Sequence, residues 1–376
     1  MEMGKDSRST SLTSRIREEA RRLGFFKLGV TAARPLPGGE EFDLWLRRGM
    51  HGEMGYLERQ AAKRKLPTLV LEKARSLLVL AMNYHSGEEL TGEPLKGKIS
   101  RYAWGDDYHH VLKERLEELL RFIQAEQPGA GGVCYVDTGP VMEKAWGAES
   151  ALGWIGKHTN LITRDRGSWF FIGVILLDIE LENDPKEEDH CGTCVRCMDA
   201  CPTGAIVAPY VVDARLCISY LTIELRGTIP RALRPLIGNR IYGCDDCQEV
   251  CPWNRFAVKT DVKAFRPRPG NLMPALAPLV DITKEEFELR FRRSAIRRAK
   301  RDGFVRNVCV ALGNSHDPEA VPALSRAIRD QSPLVRAHAA WALGQISAET
   351  AQDVLRQALP VETDRDVLEE IRLALG

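Results

Sequence analysis

The sequence predicts three structural parts: an α/β N-terminal part, a short cysteine-rich segment and an all-α C-terminal part. Apolar runs with amphipathic helical patterns between them predict the α/β part. Eight of the ten cysteines lie between Cys191 and Cys251, and they define the middle segment. A motif that recurs every 31 or 32 residues near the C-terminus predicts stacked helices. We expect the parts to cover residues 1–185, 186–280 and 281–376.

The 376 residues have an ordinary globular composition, with 44% hydrophobic and 28% charged residues. The longest run without a charged residue covers 13 residues, from Ala200 to Val212, whereas a membrane-spanning helix needs about 20 apolar residues. The N-terminus shows no apolar core of a signal peptide. We therefore expect a cytoplasmic protein without a membrane partner. The net charge of +1 favours no nucleic acid by itself, so local basic patches have to be considered.

The first part alternates between apolar runs and helical patterns. Strands are predicted at 25–30, 77–81, 133–137 and 169–181, and helices at 108–123 and 141–152. Ile16, Ala20 and Leu23 have helical spacing, and Gly24 is placed to end that first helix. Residues 256–280 hold several prolines and predict an irregular linker.

The first cysteine run has the spacing of a bacterial ferredoxin. It reads C-x2-C-x2-C-x3-C-P, and its cysteines are Cys191, Cys194, Cys197 and Cys201. Two-residue gaps let three thiolates surround one cubane cluster. The fourth cysteine of such a run serves the second cluster.

The second cysteine run matches only the end of that pattern. Cys244, Cys247 and Cys251 have the correct spacing, but Ile241 stands where the first cysteine would be. Cys217 is the remaining cysteine of the region, and we expect it to take that place. The sequence thus predicts two [4Fe–4S] clusters, the first held by Cys191, Cys194, Cys197 and Cys251, and the second by Cys201, Cys217, Cys244 and Cys247.

Two structural zinc sites are the alternative interpretation of eight cysteines. Zinc sites usually pair C-x2-C units and need neither a third cysteine at that spacing nor a trailing Cys-Pro. Two clusters close together indicate one-electron transfer, without indicating the acceptor. Cys134 and Cys309 lie in apolar surroundings and are expected to be buried thiols without a chemical role.

The C-terminal part holds an internal repeat. Leu-Gly pairs end at Gly313, Gly344 and Gly376, and the turns between are marked by Asp317-Pro318 and Ser332-Pro333. This period with helical apolar spacing is typical of HEAT-like helix pairs. Such stacks bind extended partners or serve as scaffolds.

A basic stretch precedes the repeats. Seven of the twelve residues at 290–301 are basic and none is acidic. Phosphate-backbone binding is one interpretation, and a solvated helix face is the other. The candidate nucleic-acid contacts are Arg292, Arg293, Arg297, Arg298, Lys300 and Arg301.

Three segments of the first part are candidates for a reaction site. Asp137 leaves a predicted strand at a tight turn, although a turn or helix-capping aspartate has the same appearance. Residues 100–109 are rich in aromatic and polar groups, and 154–160 form a compact Gly/Lys/Asn stretch. The sequence contains neither a Gly-x-Gly-x-x-Gly fingerprint nor a phosphate-binding loop of the Walker type, so no nicotinamide site is indicated.

These segments together carry a resemblance. Ser-Arg-Tyr-Ala at 100–103, Asp-Tyr-His at 107–109, Asp-Thr-Gly-Pro at 137–140, Gly-Trp-Ile-Gly-Lys at 153–157, the split cluster motifs with Cys217 and the terminal repeats resemble epoxyqueuosine reductases. The resemblance covers nearly the whole chain. That family is related, in its N-terminal fold and cofactor, to corrinoid-dependent reductive dehalogenases.

The resemblance implies an oxidoreductase that binds cobalamin and two [4Fe–4S] clusters. Its reaction would reduce epoxyqueuosine, at the wobble position of a tRNA anticodon, to queuosine. Asp137 matches the family's proposed proton donor. The residues that fall in segments matching those around the cobalamin are Ser100, Tyr102, Asp137, Gly156, Lys157 and Asn160. The implied partners are tRNA and an external low-potential electron donor of the flavodoxin or ferredoxin type, and we expect a monomer.

Three mechanistic expectations follow. An acid at Asp137 would need an apolar site that raises its pKa. Electrons would pass from the donor to the second cluster, then to the first cluster and the cobalamin. Asp107 and His109 begin an Asp-x-His-x-x-Gly cobalt-ligand motif, but Leu112 stands in place of the glycine, so an axial site without a protein histidine is expected.

Two other functions fit part of the pattern. A dehalogenase-like corrinoid reductase of a small molecule would share the clusters and the corrinoid, but it needs neither the basic stretch nor the repeats. A non-enzymatic electron-transfer subunit would bind neither corrinoid nor RNA.

Overall fold

The computed structural model describes residues 11–90 and 92–376, so residues 1–10 of the predicted first part lie outside the described residues. The α-helices in chain order are α1 (Leu12–Arg22), α2 (Gly39–Arg47), α3 (Gly55–Arg59), α4 (Ala61–Lys65), α5 (Tyr108–Glu126), α6 (Glu143–Glu149), α7 (Arg196–Asp199), α8 (Ile218–Ile223), α9 (Arg234–Ile237), α10 (Asp246–Glu249), α11 (Lys284–Arg290), α12 (Lys300–Gly313), α13 (Val321–Ala327), α14 (Pro333–Gly344), α15 (Glu349–Ala358) and α16 (Arg365–Leu375). The strands are β1 (Lys27–Ala32), β2 (Ser76–Asn83), β3 (Lys98–Ile99), β4 (Gly132–Tyr135), β5 (Trp154–Ile155), β6 (Leu161–Ile162), β7 (Phe170–Leu177), β8 (Ile206–Ala208), β9 (Val211–Val212) and β10 (Arg240–Tyr242).

The four predicted strands form one antiparallel sheet in the order β1-β2-β7-β4. β2 reads as a continuous apolar run because both of its faces are buried. Its Leu78, Leu80 and Met82 pack towards α1 and α5, while its Leu77 and Val79 pack towards α6. The N-terminal part is therefore a three-layer α/β/α arrangement, and the α/β prediction is confirmed.

Three predicted elements are shorter than expected, and the smallest difference is in β4, which ends at Tyr135 rather than 137. α6 ends at Glu149 rather than 152, because Ala151 adopts a φ of +57° that no α-helix accommodates. β7 ends at Leu177 rather than 181, where the Asp178 carboxylate accepts a hydrogen bond from the Gly131 amide. The first helix ends as predicted, with Gly24 at a φ of +88° just beyond it.

The cysteine-rich segment consists of short elements. α7 and α10 contact each other, and each ends shortly before a Cys-Pro pair, at Cys201 and Cys251. Residues 256–280, all of them described, contain short 3-10 turns, bends and one isolated bridge from Ala275 to Lys96, but no α-helix or strand, which agrees with the predicted linker.

The last five helices stack as expected for HEAT-like repeats, with α14 packed between α12 and α16. α12 also lies against the cysteine-rich segment. The Asn307 amide donates to the carbonyl oxygens of Thr222 (2.8 Å) and Ile241 (2.9 Å). One apolar core extends from this segment through the repeats. The expected boundaries between the three parts stay predictions. No helix within the described ranges 11–90 and 92–376 is long and apolar enough to span a membrane.

Candidate active site

The eight clustered cysteines fall into two sets of four. Cys191, Cys194, Cys197 and Cys251 line one cavity of about 210 Å³. Cys201, Cys217, Cys244 and Cys247 line a separate cleft of about 420 Å³. These are the two sets that the sequence predicts, including the distant Cys217. Of the two thiols without a predicted role, Cys309 is fully buried and Cys134 is half-buried.

Lys157 holds the loop of the first set. Its Nζ donates to the carbonyl oxygens of Gly192 (2.6 Å) and Cys194 (3.0 Å). Trp253 lines the same cavity, and its ring centroid lies 4.9 Å from that of Trp154. Lys157 lines the cavity of the first set and is not among the residues that line the cleft, and Gly156 lines neither. Gly156 nevertheless adjoins a predicted contact that lines the cleft, because its amide donates to the Asn160 carbonyl oxygen at 2.8 Å.

The cleft with the second set also contains Asp137. β4 ends at Tyr135, and the chain turns sharply so that Asp137 has a φ of +54°. Gly139 is required in this turn, because a Cβ there would lie 2.2 Å from the Tyr135 ring. The Asp137 side chain remains 65% exposed, and it projects into the open cleft.

Two neighbours on the first turn of α5 contact this carboxylate. The Tyr108 hydroxyl donates to Asp137 Oδ2 at 2.9 Å. His109 Nε2 lies 3.4 Å from the same oxygen, an ion-pair distance, and makes no hydrogen bond within the described part of the chain. The Tyr108 ring stacks on Phe171 of β7, with centroids 4.3 Å apart, which fixes the direction of the hydroxyl.

Asp107 fixes the histidine. It is the N-cap of α5 and accepts a hydrogen bond from the His109 amide at 3.1 Å. Its Oδ1 also lies 2.7 Å from His109 Nδ1. The three side chains therefore form a line, Asp107–His109–Asp137, that ends in the cleft.

The charges in this line shift the pKa values in opposite directions. Desolvation alone would raise the pKa of Asp137, but the His109 and Tyr108 contacts outweigh it and lower that pKa. Desolvation alone would lower the pKa of His109, but Asp107 and Asp137 raise it to about 9. The expected raised pKa of Asp137 is wrong, because the sequence pattern did not include a cationic neighbour. At neutral pH the proton of the pair resides on His109.

The rest of the cleft combines an apolar wall with polar side chains. Phe170, Phe171 and Ile172 of β7 line one side. Three of the predicted cofactor contacts also line the cleft: Ser100, Tyr102 and Asn160. Ser100 donates to Asp245 at 2.5 Å, and Asn160 accepts from Lys144 Nζ at 2.7 Å. The Tyr102 hydroxyl donates to that of Tyr242 at 3.2 Å.

Ser100 and the second cysteine run approach each other closely. A Cβ at Gly243 would lie 2.6 Å from the Ser100 Cβ, and Gly243 has a φ of +71°, so glycine is required beside Cys244. The wall of the cleft that carries the second cysteine set is thus packed directly on the N-terminal part.

The lining of the cleft leaves two hydrogen-bonding positions open to a polar ligand. Two of its lining side chains carry a buried polar atom without a hydrogen-bond partner, Glu143 Oε1 and His158 Nε2. Burial and the charge of Asp137 raise the pKa of Glu143 to about 7, and burial lowers the pKa of His158 to about 4. Both are therefore positioned to form hydrogen bonds with an uncharged polar ligand.

The second cysteine set, and not the first, lines the cleft with Asp137. This placement reverses the order expected from the sequence, in which the first cluster would neighbour the reaction site. The spacing of the cysteines shows which thiols share a cluster, but it contains no information on which cluster faces the α/β part.

The basic stretch is not one continuous helix. α11 ends at Arg290, a 3-10 turn covers Ala295–Ala299, and Arg293 adopts a φ of +55°. Three of its candidate contacts form ion pairs: Arg297 with Glu288, Arg298 with Glu224, and Arg301 with Asp330. The other three, Arg292, Arg293 and Lys300, are exposed and have no ion pair within the described residues.

The basic stretch is joined to the site. The Arg293 carbonyl oxygen accepts from the Asp107 amide and from the Arg268 guanidinium, each at 2.8 Å. The Arg268 side chain also contacts Asp106 at 2.6 Å. The exposed arginines are therefore fixed next to the first turn of α5.

Sequence reasoning missed several residues of the cleft, namely Glu143, Lys144, His158 and the acid–base contact of His109. His109 attracted attention only as a cobalt-ligand candidate. The Asp-x-His spacing at a predicted helix start was the available signal, since an N-cap aspartate lies beside the residue two positions later.

The comparisons with known proteins agree with this arrangement. Family models match residues 64–138 (epoxyqueuosine reductase QueG, DUF1730), 190–254 (4Fe-4S double cluster binding domain) and 289–376 (HEAT repeats). The epoxyqueuosine reductase of Pseudomonas aeruginosa is 43% identical over 88% of this chain and 94% of its own. That of Escherichia coli K12 is 41% identical over 89% of each chain.

A crystal structure of an epoxyqueuosine reductase with an epoxyqueuosine-modified tRNA-Tyr stem loop aligns with a TM-score of 0.90. It shares 33% identity and covers 97% of this chain and 98% of that one. A reductive dehalogenase structure aligns far less closely, with a TM-score of 0.41 and 16% identity over 67% of this chain.

The fold and the cysteine-rich segment define an iron–sulfur oxidoreductase with an attached helical repeat. The relatives make the assignment specific: the chain belongs to the epoxyqueuosine reductase family. The iron–sulfur interpretation of the cysteines is confirmed against the zinc alternative by the family model over residues 190–254.

Proposed function

We propose that this protein reduces the epoxide of epoxyqueuosine in tRNA to the cyclopentene of queuosine. Membership in the family and one observation support this reaction most directly. Asp137, with its two proton-bearing neighbours, lies in the same open cleft as a complete four-cysteine set. An acid and an electron source are the two components that reductive opening of an epoxide requires.

The two sets of cysteines would each hold one [4Fe–4S] cluster, with four thiolates per cluster and no cysteine of the region left over. Cobalamin would occupy the cleft beside Ser100, Tyr102 and Asn160, where Glu143 and His158 offer unpartnered polar atoms. When bound, the clusters supply single electrons and cobalamin supplies a low-potential metal centre. Lys157 would hold the first cysteine loop through its amine, and Gly156 would position Asn160 beside the cofactor through its amide.

The residues of this chain would deliver protons and exclude water. Asp137 would give a proton to the epoxide oxygen as its bond to carbon breaks. Tyr108 would hold the carboxyl in position through its hydroxyl. The apolar wall formed by Phe170, Phe171 and Ile172 would limit the access of water to the reacting carbon atoms.

The tRNA would be held in part by the basic stretch. Arg292, Arg293 and Lys300 are the three members with no ion pair within the described residues, so their charges are free to meet phosphates. Arg293 lies beside Asp107, which places these charges next to the cleft. The relative solved with a tRNA stem loop supports this choice of partner. Proteins that read RNA loops usually extend single bases into pockets.

An external low-potential one-electron donor of the flavodoxin or ferredoxin type would supply the electrons. We also propose that the protein acts as a monomer in the cytoplasm, where its tRNA substrate is found.

Anaerobic purification with added cobalamin tests the cofactors and the reaction together. About eight irons and one cobalt per chain, followed by conversion of epoxyqueuosine tRNA to queuosine tRNA with a chemical reductant, are the expected results. Iron without cobalt in the presence of excess cobalamin would instead indicate an electron carrier and contradict the proposal.

A further inference from the structure

Reduction of an epoxide to an alkene consumes two protons. Both C–O bonds break, the C=C bond forms, and one water leaves, so the balance is epoxide + 2 e⁻ + 2 H⁺ → alkene + H₂O. The electrons come from the external one-electron donor of the proposed function, on which this inference rests. One carboxyl group supplies one proton, so Asp137 has to be recharged within each turnover.

We propose that His109 is the proton store that recharges Asp137, and that Asp107 is the positioning residue that keeps His109 ready to donate. His109 Nε2 lies 3.4 Å from Asp137 Oδ2, while its Nδ1 lies 2.7 Å from Asp107 Oδ1. Asp107 therefore directs Nε2 towards Asp137, and Nε2 has no other hydrogen-bond partner within the described residues. Asp137 takes the Nε2 proton and gives it to the substrate oxygen, and the second proton passes through the same carboxyl group after the pair has been refilled from water.

His109 Nε2 itself is buried, but the Asp137 side chain is 65% exposed, so water can refill the proton store through the Asp137 carboxylate. The Tyr108 and His109 rings stack with centroids 4.1 Å apart, which keeps the imidazole beside the carboxylate as protons move. With the pKa of His109 raised to about 9, the imidazole holds its proton across neutral pH.

Other titratable and charged groups face the pair and belong to its pH response. They come from α3, α5, α6 and two 3-10 turns: Asp107, Tyr108, His110, Tyr102, Glu143, Lys144, Tyr56 and Arg298. Tyr102 and Tyr108 stay neutral because burial holds the pKa of each well above its ordinary value. Among these groups, Glu143 is the competing proton donor, but it forms no hydrogen bond with Asp137 in the described structure.

Single-turnover rates on epoxyqueuosine tRNA, measured from pH 5.5 to 10 with pre-reduced cofactor-loaded protein, test this role. In the wild type, the rate should fall as pH rises through about 9, where His109 loses its proton. In His109→Gln the fall should begin at least about two pH units lower, and the rate at pH 8 should drop about tenfold or more. Asp107→Asn keeps a residue that caps helices well but removes the negative charge. The single-turnover rate of this variant should therefore also begin to fall at a lower pH than in the wild type.

If His109 had only a structural role, added imidazole would not restore the rate of His109→Ala. A proton store predicts the opposite. Imidazole should restore a large part of the rate of His109→Ala at pH 8, because it can occupy the vacated space and carry a proton. His316→Asn, which changes an exposed histidine in the helical repeats away from the cleft, is the control and should keep the wild-type pH profile.

If the wild type turns over normally and the pH profiles of His109→Gln and Asp107→Asn are unchanged, the proton-store role is refuted. The proposed function would still stand. The proton-store role of His109 would also be refuted if the fall in rate at high pH shifted in Glu143→Gln and not in His109→Gln. Absence of turnover by the loaded wild type would overturn the proposed function, and this inference with it.

Discussion

The Tyr108 hydroxyl donates a 2.9 Å hydrogen bond to Asp137 Oδ2, joining the first turn of α5 to the turn that follows β4. The two residues are 29 positions apart, and the sheet brings them together because α5 packs against β4 and β7. This hydrogen bond places an acidic group at the mouth of a cleft that also holds four cysteines.

Replacing Asp137 with Asn should abolish turnover while both clusters remain. Loss of a positioned acid typically costs about 10²- to 10⁴-fold in rate. Asparagine preserves the size of the side chain and tolerates the left-handed backbone at this position. The check is the single-turnover rate together with the iron content. Asp165→Asn, an exposed aspartate in the turn after β6, is the control and should keep full activity. Retained activity in Asp137→Asn would refute the acid role.

Tyr108→Phe should raise the pKa of Asp137, since the hydroxyl donor helps to hold that pKa low. The charged carboxylate accepts this hydrogen bond, so removing the donor favours the protonated form and shifts the pKa upwards. The ring should stay stacked on Phe171, which preserves the fold. A carboxyl-selective infrared titration with Asp137→Asn as the reference measures the shift. A pKa that stays unchanged would mean that Tyr108 only packs.

Most of the fold could be predicted from the sequence for specific reasons. β2 and β7 are continuous apolar runs because both faces are covered, and the Leu-Gly repeats mark helices that pack on one another. Cys217 could be assigned because one thiolate was missing from an otherwise complete pattern. Each of these features can be recognised from neighbouring residues or from regular spacing along the sequence.

The rest of the site depends on long-range packing. The contact between His109 and Asp137 exists only once α5 lies on the sheet, and it reverses the expected pKa shift of Asp137. Lys157 belongs to a segment that resembles a cofactor site, yet the fold directs its amine to the carbonyl oxygens of the first cysteine loop. Neither contact can be predicted from the spacing of residues along the chain.

Cys217→Ser should lower the iron content from about eight to about four per chain. The second set would lose one thiolate, whereas the first set shares no cysteine with it. Iron analysis and electron paramagnetic resonance of the reduced protein measure the loss. Cys134→Ala, a half-buried thiol outside both sets, should keep all of the iron. Full iron content in Cys217→Ser would contradict the assignment of Cys217.

Charge reversal of Arg292 and Arg293 should weaken tRNA binding and lower its salt dependence by about one unit of slope for each phosphate that is no longer neutralised. The two side chains are exposed and form no ion pair within the described residues. Arg356→Glu in the last repeat is the control, since its guanidinium already pairs with Asp353. Binding is measured by filter retention or anisotropy at several salt concentrations. An affinity equal to that of the wild type at low salt would eliminate the basic stretch as a tRNA-binding surface.

Asn307→Ala should destabilise the junction between the repeats and the cysteine-rich segment. The substitution leaves the carbonyl oxygens of Thr222 and Ile241 buried without their amide donor. Each such group costs about 1–3 kcal/mol. Urea unfolding followed by circular dichroism measures the effect. A free energy of unfolding within error of the wild type would show that water replaces the amide.

The most direct test of the proposed reaction compares substrates on one preparation of reduced, cobalamin-loaded protein. The protein is given a tRNA stem loop that contains epoxyqueuosine and, separately, a halogenated phenol of the kind that corrinoid reductases dehalogenate. Nucleoside mass spectrometry should show loss of one oxygen and formation of queuosine with the wild type, no product with Asp137→Asn, and no dehalogenation. A preparation that binds cobalt and iron and removes halide, but leaves epoxyqueuosine unchanged, would contradict the account.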